Sequence, residues 1–153
     1  MSIDLSKIYH IGMAVEDIDL CCKQIGTDLN LDWLPIKTFN PLPFWTPEEG
    51  LRDISVRATY SRQGPQRLEI VQGTSIFYDP KRLPDSRHIG LWVDELAEEA
   101  TRLITNGWTV LAAGDEPSSG YGTIAYLSPP FPGLVVELVS RQLEPMMNEW
   151  FAV

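Results

Sequence analysis

The sequence is poor in positive charge and has no long hydrophobic run. Its 153 residues include 12 Lys and Arg against 21 Asp and Glu, so the net charge is -9 and the pI about 4.6. This balance disfavours binding to nucleic acid or to an anionic membrane, since both need a basic surface. No apolar stretch approaches the roughly 18 residues of a membrane-spanning helix. The first residues lack the order of a signal peptide, so we expect a soluble, cytoplasmic protein.

Cysteine and histidine each occur only twice. Cys21 and Cys22 are adjacent, and neighbouring cysteines rarely form a disulfide with each other, so we expect reduced thiols on a helix. The two histidines begin the same motif. Residues 10–18 and 88–96 both follow the pattern H-I-G-[ML]-x-V-[DE]-[DE]-[IL]. A second similarity, Leu-Glu-Ile-Val at 68–71 and Val-Glu-Leu-Val at 136–139, comes later in each half and indicates an internal duplication.

The pattern of elements supports the duplication. Alternating apolar residues predict strands, and helical spacing predicts helices at 17–28 and 95–105. Both halves therefore fit the order strand–helix–strand–strand–strand. We predict an α+β fold in which two paired βαβββ modules form a curved mixed sheet that lines a cleft. The predicted single domain, 1–153, consists of a first module at 7–73, a linker at 74–86, a second module at 87–140 and a C-terminal tail at 141–153.

One segment of the first half does not fit a regular element. Residues 31–36 are compatible with a strand, but the proline-rich stretch after them predicts a long loop. We expect the segment 37–50 to form a lid or wall over the cleft, because it contains Phe44 and Trp45 among other apolar side chains. The alternative is that these side chains plug a sheet edge.

Strand alternation assigns the polar side chains to one face of the sheet. A helix-backed strand presents its aliphatic set to the helix and its alternate residues to the other side. This rule sends His10, Glu69, His88 and Glu137 away from the helices. On 51–60 the aliphatic residues are Ile54, Val56 and Ala58, so the same rule predicts that Asp53, Ser55 and Arg57 also face the cleft.

Two imidazoles and two carboxylates that converge in a cleft would satisfy a divalent cation. A mixture of His and Glu suits Zn, Ni, Co, Mn or Fe(II), between which the sequence does not distinguish. The alternative is that Glu69 and Glu137 are solvent-facing charges. Valines flank Glu137, and an unpaired buried carboxylate is costly, so the metal site is the better prediction.

These motifs resemble the vicinal oxygen chelate superfamily, which includes glyoxalases, bleomycin-resistance proteins and extradiol dioxygenases, over about residues 7–140. The motifs look like those of its methylmalonyl-CoA epimerases and glyoxalase-like proteins. The motifs that carry the resemblance are His10-Ile-Gly, Glu69-Ile-Val-Gln-Gly, His88-Ile-Gly and Gly133-Leu-Val-Val-Glu137-Leu. The resemblance implies that His10, Glu69, His88 and Glu137 hold the metal. Gly50-Leu-Arg-Asp53-Ile resembles the segment that carries the epimerase base. Homodimers are common among paired-module proteins of this type, so the resemblance also implies a homodimer.

The resemblance favours a metal-dependent epimerase or isomerase that forms an enolate-like intermediate from a small carbonyl or acyl substrate with an apolar portion. Asp53 is then the proton-transfer residue, whereas a glyoxalase-like lyase would use Glu69 or Glu137 as the base. The superfamily also contains proteins that sequester an apolar compound, which is a further possible function, and an extradiol dioxygenase is less favoured. Asp53 and Glu137 are thus the catalytic candidates. The candidate substrate-binding residues are Phe44, Trp45, Trp92 and Arg57.

Overall fold

A computed structural model describes residues 3–82 and 87–153, and within these ranges it contains eight strands and three α-helices. In chain order they are β1 (Ile8–Ala14), α1 (Ile18–Leu29), β2 (Lys37–Thr46), β3 (Gly50–Tyr60), β4 (Arg67–Gly73), β5 (His88–Val93), α2 (Leu96–Thr105), β6 (Thr109–Ala113), β7 (Ile124–Ser128), β8 (Val136–Ser140) and α3 (Glu144–Phe151). Both halves therefore have the predicted order strand–helix–strand–strand–strand, and the α+β class is confirmed.

The strands form one closed barrel in the order β1-β4-β3-β2-β6-β7-β8-β5, which is completed by pairing between β5 and β1. The pairs β1–β4 and β5–β8 are parallel, and the other neighbours are antiparallel. Between β2 and β6 the ladder consists of a single residue pair, Trp45 and Ala113. The predicted curved mixed sheet is confirmed, and its two halves meet around a common interior.

The two longer helices cover the outside of this sheet. Asp17 caps α1 by accepting a hydrogen bond from the backbone N–H of Leu20 at 3.0 Å. Ile18 of α1 packs with Ile70 of β4, and a larger cluster lies between α2 and strands β5 and β8. Because the aliphatic residues of these strands face the helices, their alternate residues are left to the barrel interior.

The predicted loop at 37–50 is wrong, because residues 37–46 form β2. Because proline has no backbone N–H to donate to a strand ladder, it is confined to bulges and to strands with a free edge. The register of β2 against β3 shifts between Phe39 and Leu42, next to Pro41, and the other edge of β2 carries only the single pair with β6. The strand suggested at 31–36 is reduced to an isolated bridge between Trp33 and Ser61.

The predicted orientation of β3 is also wrong. Ile54, Val56 and Ala58 lie in the interior cluster of the barrel, and they do not belong to the cluster that packs on α1. The apolar cluster beneath α1 is built from other segments, chiefly β4 and the end of β1. The interior is thus where β3 buries its aliphatic set, and this turns Asp53, Ser55 and Arg57 outwards.

The chain between the halves and the chain after β8 both pack onto the barrel. Phe77 and Tyr78 belong to a short 3-10 turn and are buried in the interior cluster, although they fall within the predicted linker. The end of that linker, 83–86, lies outside the described residues. Met147 and Trp150 of α3 pack against the same cluster from the barrel mouth. None of the helices in 3–82 and 87–153 is long and apolar enough to span a membrane.

Candidate metal centre

Four neighbouring strands each direct one potential ligand into the barrel. In the order β4, β1, β5 and β8 these side chains are Glu69, His10, His88 and Glu137. All four residues are buried, with exposed fractions of 0–7%. They come from positions opposite to the helix-facing aliphatic residues, as strand alternation predicts. Two histidines and two carboxylates therefore meet in a site from which most solvent is excluded.

The separations of the four donor atoms match those of ligands around one ion. The two Nε2 atoms are 3.2 Å apart, His10 Nε2 is 2.9 Å from Glu137 Oε1, and His88 Nε2 is 3.1 Å from Glu69 Oε1. The diagonal distances, His10 to Glu69 and His88 to Glu137, are 3.7 and 3.5 Å. Atoms about 2.1 Å from a shared ion lie about 3.0 Å apart at right angles and about 3.4 Å apart in a tetrahedron. The residues present thus fit a divalent ion.

Two glycines create the space in which the histidine rings meet. The antiparallel register of β1 and β5 pairs His10 with Gly90 and Gly12 with His88. A Cβ at position 90 would lie 1.9 Å from His10 Cε1, and a Cβ at position 12 would lie 2.3 Å from His88 Nε2. Each His-Ile-Gly motif therefore supplies one imidazole and the gap that the other motif's imidazole occupies.

The two carboxylates are held differently. Tyr60 donates a hydrogen bond to Glu69 Oε2 at 2.5 Å, and the other oxygen of Glu69 is hydrogen-bonded to His88. Burial opposes ionisation of Glu69, but His10, His88 and Tyr60 together outweigh it and lower its pKa to about 2. Glu137 Oε1, in contrast, has no hydrogen-bond partner in the described part of the chain, although His10 lies close to it. Glu137 is therefore the less constrained carboxylate.

A second polar group lies beside the cluster. The hydroxyls of Tyr78 and Tyr126 are 2.9 Å apart, and the Tyr126 ring meets the His88 ring edge-on with 5.1 Å between their centroids. Burial, and then the charge of Glu137, raise the pKa of both tyrosines well above the ordinary value. Both hydroxyls therefore stay protonated at neutral pH and can donate hydrogen bonds.

The cluster opens into a cavity of about 510 Å³ that Glu69 and Glu137 help to line. Most of its other lining side chains are apolar or aromatic, and none of those in the described ranges is Lys or Arg. Met146, Met147 and Trp150 of α3 lie over it. Another cavity of about 540 Å³, lined largely by 128–135 and 109–111, contains none of the four potential ligands, so we assign the chemistry to the first cavity.

Comparison with known proteins identifies the family. Residues 9–126, well over half of the chain, match the sequence profile of the Glyoxalase/Bleomycin resistance protein/Dioxygenase superfamily. The chain belongs to this superfamily. This confirms the resemblance found in the motifs, and the buried His/Glu cluster could hold the divalent metal that is typical of its members.

Solved structures agree with the superfamily fold. A hypothetical protein from Bacillus halodurans is 20% identical with a TM-score of 0.58, and the match covers 88% of this chain and 93% of that chain. The Streptomyces coelicolor methylmalonyl-CoA epimerase in complex with 2-nitronate-propionyl-CoA is 18% identical with a TM-score of 0.54, covering 88% and 96%. The Mycobacterium tuberculosis epimerase is 16% identical with a TM-score of 0.54, covering 91% and 92%. At such identities the likeness establishes the fold alone. The search of curated proteins found no match.

Two residues that the sequence predicts to face the cleft lie on the outside of the barrel. Asp53 is exposed on the outer face of β3, and Arg57 on the same face forms an ion pair with Asp19 of α1 at 3.1 Å. The predicted cleft positions of both residues are therefore wrong. The cause is the reversed orientation of β3, whose aliphatic residues fill the barrel.

The three predicted aromatic contacts lie behind the cavity wall. Phe44 is buried and stacks on Tyr78, while Trp45 packs on the outer cluster beneath α2. Trp92 stacks on Tyr9 with 4.3 Å between the ring centroids, and Tyr9 is the residue that reaches the cavity. None of the three is among the described residues that line the cavity, because each side chain supports the wall from the far side or lies outside the barrel, and their role in substrate binding stays a prediction.

Sequence reasoning missed the tyrosines of the site. Tyr60 pairs with Glu69 between β3 and β4, and Tyr126 pairs with Glu137 between β7 and β8. The available signal is that a tyrosine precedes each glutamate of the duplicated motif, by 9 and 11 residues. Like the two histidines, these tyrosines occupy equivalent places in the two halves of the repeat.

Proposed function

We propose that this chain is a metal-dependent isomerase or lyase, of the epimerase or glyoxalase type, that moves a proton next to the carbonyl group of a small substrate with an apolar portion. The observation that carries the proposal is that four buried donor atoms converge beside an apolar cavity lined by Glu69 and Glu137, and that Oε1 of Glu137 has no hydrogen-bond partner among the residues that the structure describes. A divalent ion bound by His10, Glu69, His88 and Glu137 would act as a Lewis acid on a substrate oxygen.

The chain's own residues divide the remaining work. Tyr60 and His88 fix Glu69, which suits it to the role of a permanent ligand. Glu137, whose Oε1 has no hydrogen-bond partner within 3–82 and 87–153, is the base that takes the proton from carbon as the C–H electron pair moves towards the carbonyl oxygen. Return of the proton to carbon completes an isomerisation. The apolar wall excludes water, and this strengthens the electrostatic stabilisation of the enolate.

This assignment replaces Asp53 by Glu137 as the proton-transfer residue. Of the two catalytic residues predicted from the sequence, Glu137 alone lies in the cavity, since Asp53 is on the outside of the barrel. The position of Asp53 therefore gives no support to the epimerase substrate that the resemblance suggests. The homodimer and the cytoplasmic location stay predictions.

Metal-dependent proton exchange tests the proposal. The metal-free protein is loaded with Zn²⁺, Ni²⁺, Co²⁺, Mn²⁺ or Fe²⁺ and incubated in heavy water with three apolar carbonyl compounds: (R)-benzoin, 2-phenylpropanal and the hemithioacetal of phenylglyoxal with 2-mercaptoethanol. NMR follows loss of the C–H signal beside the carbonyl group. With at least one metal and one compound we expect exchange about 100-fold faster than with the free ion, which is the lower range of general-base catalysis. Exchange no faster than the free ion in every combination would contradict the proposal and favour a sequestering protein.

A further inference from the structure

We propose that the hydroxyls of Tyr78 and Tyr126 form a second polar anchor in the cavity, which donates a hydrogen bond to an uncharged oxygen of a mainly apolar substrate. The two hydroxyls are 2.9 Å apart, and each residue is 3% exposed. Both line the same cavity as Glu69 and Glu137. This proposal deepens the proposed function. It rests on that function because it takes one substrate oxygen to lie at the metal cluster and another to lie at the tyrosine pair.

One hydrogen of the tyrosine pair is available to a ligand. Each hydroxyl carries one hydrogen and can both donate and accept, so the bond between them uses a single hydrogen. Neither hydroxyl has another hydrogen-bond partner among residues 3–82 and 87–153. A buried donor without an acceptor is costly, and a ligand oxygen in the cavity would satisfy it.

The surrounding side chains fix the position of the pair. Tyr78 stacks on Phe44 with 5.2 Å between the ring centroids and 29° between the planes. Its ring also occupies space that Gly73 leaves free, because a Cβ at position 73 would lie 2.6 Å from Tyr78 Cδ2. Tyr126 lies opposite Glu137 in the ladder between β7 and β8. The tyrosine pair is thus fixed in the cavity that Glu137 also lines before any substrate arrives, as effective stabilisation of a substrate oxygen requires.

The internal duplication shows that the two equivalent tyrosines have different partners. Tyr60 lies opposite Glu69 and donates to its Oε2, so its hydrogen is committed to a potential metal ligand. Tyr126 lies opposite Glu137 but is hydrogen-bonded to Tyr78. The first module thus uses its tyrosine to hold the site together, and the second module directs a donor to the cavity.

The rest of the cavity defines the class of substrate. Apart from the tyrosines and the acidic side chains, the wall consists mostly of apolar residues, including Val56, Val139 and Met147. No Lys or Arg of the described part of the chain lines this cavity, so none of these wall residues neutralises a phosphate or carboxylate. We therefore assign to it an uncharged compound with an apolar body and two oxygens, one for the cluster and one for the tyrosine pair.

Two probes of equal shape test this anchor. 2-Acetylnaphthalene carries a carbonyl group where 2-ethylnaphthalene carries a CH₂ group, and fluorescence titration gives the affinity of each for the zinc-loaded protein. We expect the ketone to bind the unaltered protein more tightly than the hydrocarbon. In the double variant Tyr78→Phe/Tyr126→Phe we expect ketone affinity to fall about fivefold to tenfold, as for loss of one hydrogen bond, with hydrocarbon affinity unchanged. Tyr121→Phe, a half-buried tyrosine outside the cavity lining, is the matched control and should change neither affinity.

Each remaining outcome decides the matter. Binding of neither probe, no preference for the ketone, equal losses for both probes in the double variant, or a ketone affinity that the double substitution leaves unchanged would contradict the anchor. If the double variant does not fold, the infrared carbonyl stretch of the ketone bound to the metal-free unaltered protein replaces it, because a bound metal ion would lower the frequency as well: a frequency below that in hexane supports the hydrogen bond, and an unshifted one contradicts it. Zinc content and proton exchange, measured on the same samples, test the proposed function separately. A protein that prefers the ketone but binds no zinc would contradict only the metal site.

Discussion

Replacing Gly90 by alanine is expected to abolish tight metal binding, although Gly90 has no side chain with which to bind an ion. The new Cβ would lie 1.9 Å from Cε1 and 2.4 Å from Nε2 of His10. His10 is completely buried, so its ring cannot avoid the methyl group without leaving the cluster. We expect zinc affinity, measured by competition with a chromophoric chelator, to fall about 100-fold or more, the upper range for changes that misplace a metal ligand.

Gly64→Ala is the matched control for this substitution. Gly64 is exposed, and a Cβ there would have Arg67 Cγ as its nearest neighbour at 3.6 Å, an ordinary contact. Zinc affinity should stay at the level of the unaltered protein. Circular dichroism establishes that both variants are folded. A folded Gly90→Ala protein with unchanged zinc affinity would show that His10 is not held where the cluster requires it.

Replacing Glu137 by glutamine is expected to stop proton transfer while the fold is kept. Glutamine has nearly the shape of glutamate but cannot accept the proton, and loss of a general base typically costs a factor of about 100 to 10,000. Exchange of the C–H proton of the best compound of the panel is measured in heavy water at a metal concentration that saturates the variant. This condition separates loss of the base from weaker metal binding.

Asp53→Asn is the matched carboxylate variant. Asp53 is exposed on the outer face of β3, so the Asp53→Asn protein should exchange the C–H proton at the same rate as the unaltered protein. Slow exchange in Asp53→Asn together with normal exchange in Glu137→Gln would reverse the assignment. The pair of variants therefore decides between the base predicted from the sequence and the base that the geometry favours.

The convergence of the four potential ligands was predictable from the sequence. The duplicated motif identified equivalent positions, and the aliphatic residues of β4, β5 and β8 identified the face that packs on a helix. Where a helix covers a strand, alternation assigns the remaining face without ambiguity. His10, Glu69, His88 and Glu137 satisfy this condition, because the helix-facing clusters of both modules lie directly behind their strands.

The same rule failed on β3 for a physical reason. Alternation divides a strand into two sets of residues, but it does not say which set faces the interior. The pattern predicts that Ile54 and Val56 pack against a helix, but they fill the barrel, since they are part of the interior cluster and not of the cluster beneath α1. Asp53 and Arg57 then took the opposite face. Knowledge of which strands the helix covers depends on tertiary packing, which the local pattern does not contain.

The strand β2 and the tyrosine pair illustrate a second limit of local patterns. Pro41 and Pro43 indicate a loop by composition, but a strand with one weakly paired edge and a shift in register accommodates them. Tyr78 and Tyr126 are 48 residues apart and come together only when the segment after β4 folds into the barrel. No periodicity within either segment predicts their contact.

The most direct test of the metal centre is the zinc content of His88→Ala compared with that of the unaltered protein. Both are dialysed against zinc and then against metal-free buffer, and the metal is measured by inductively coupled plasma mass spectrometry. We expect about one zinc ion per chain for the unaltered protein, held by two imidazoles and two carboxylates, and no tightly bound zinc in folded His88→Ala. Full zinc occupancy in that variant would contradict the claim that His10, Glu69, His88 and Glu137 form one metal centre.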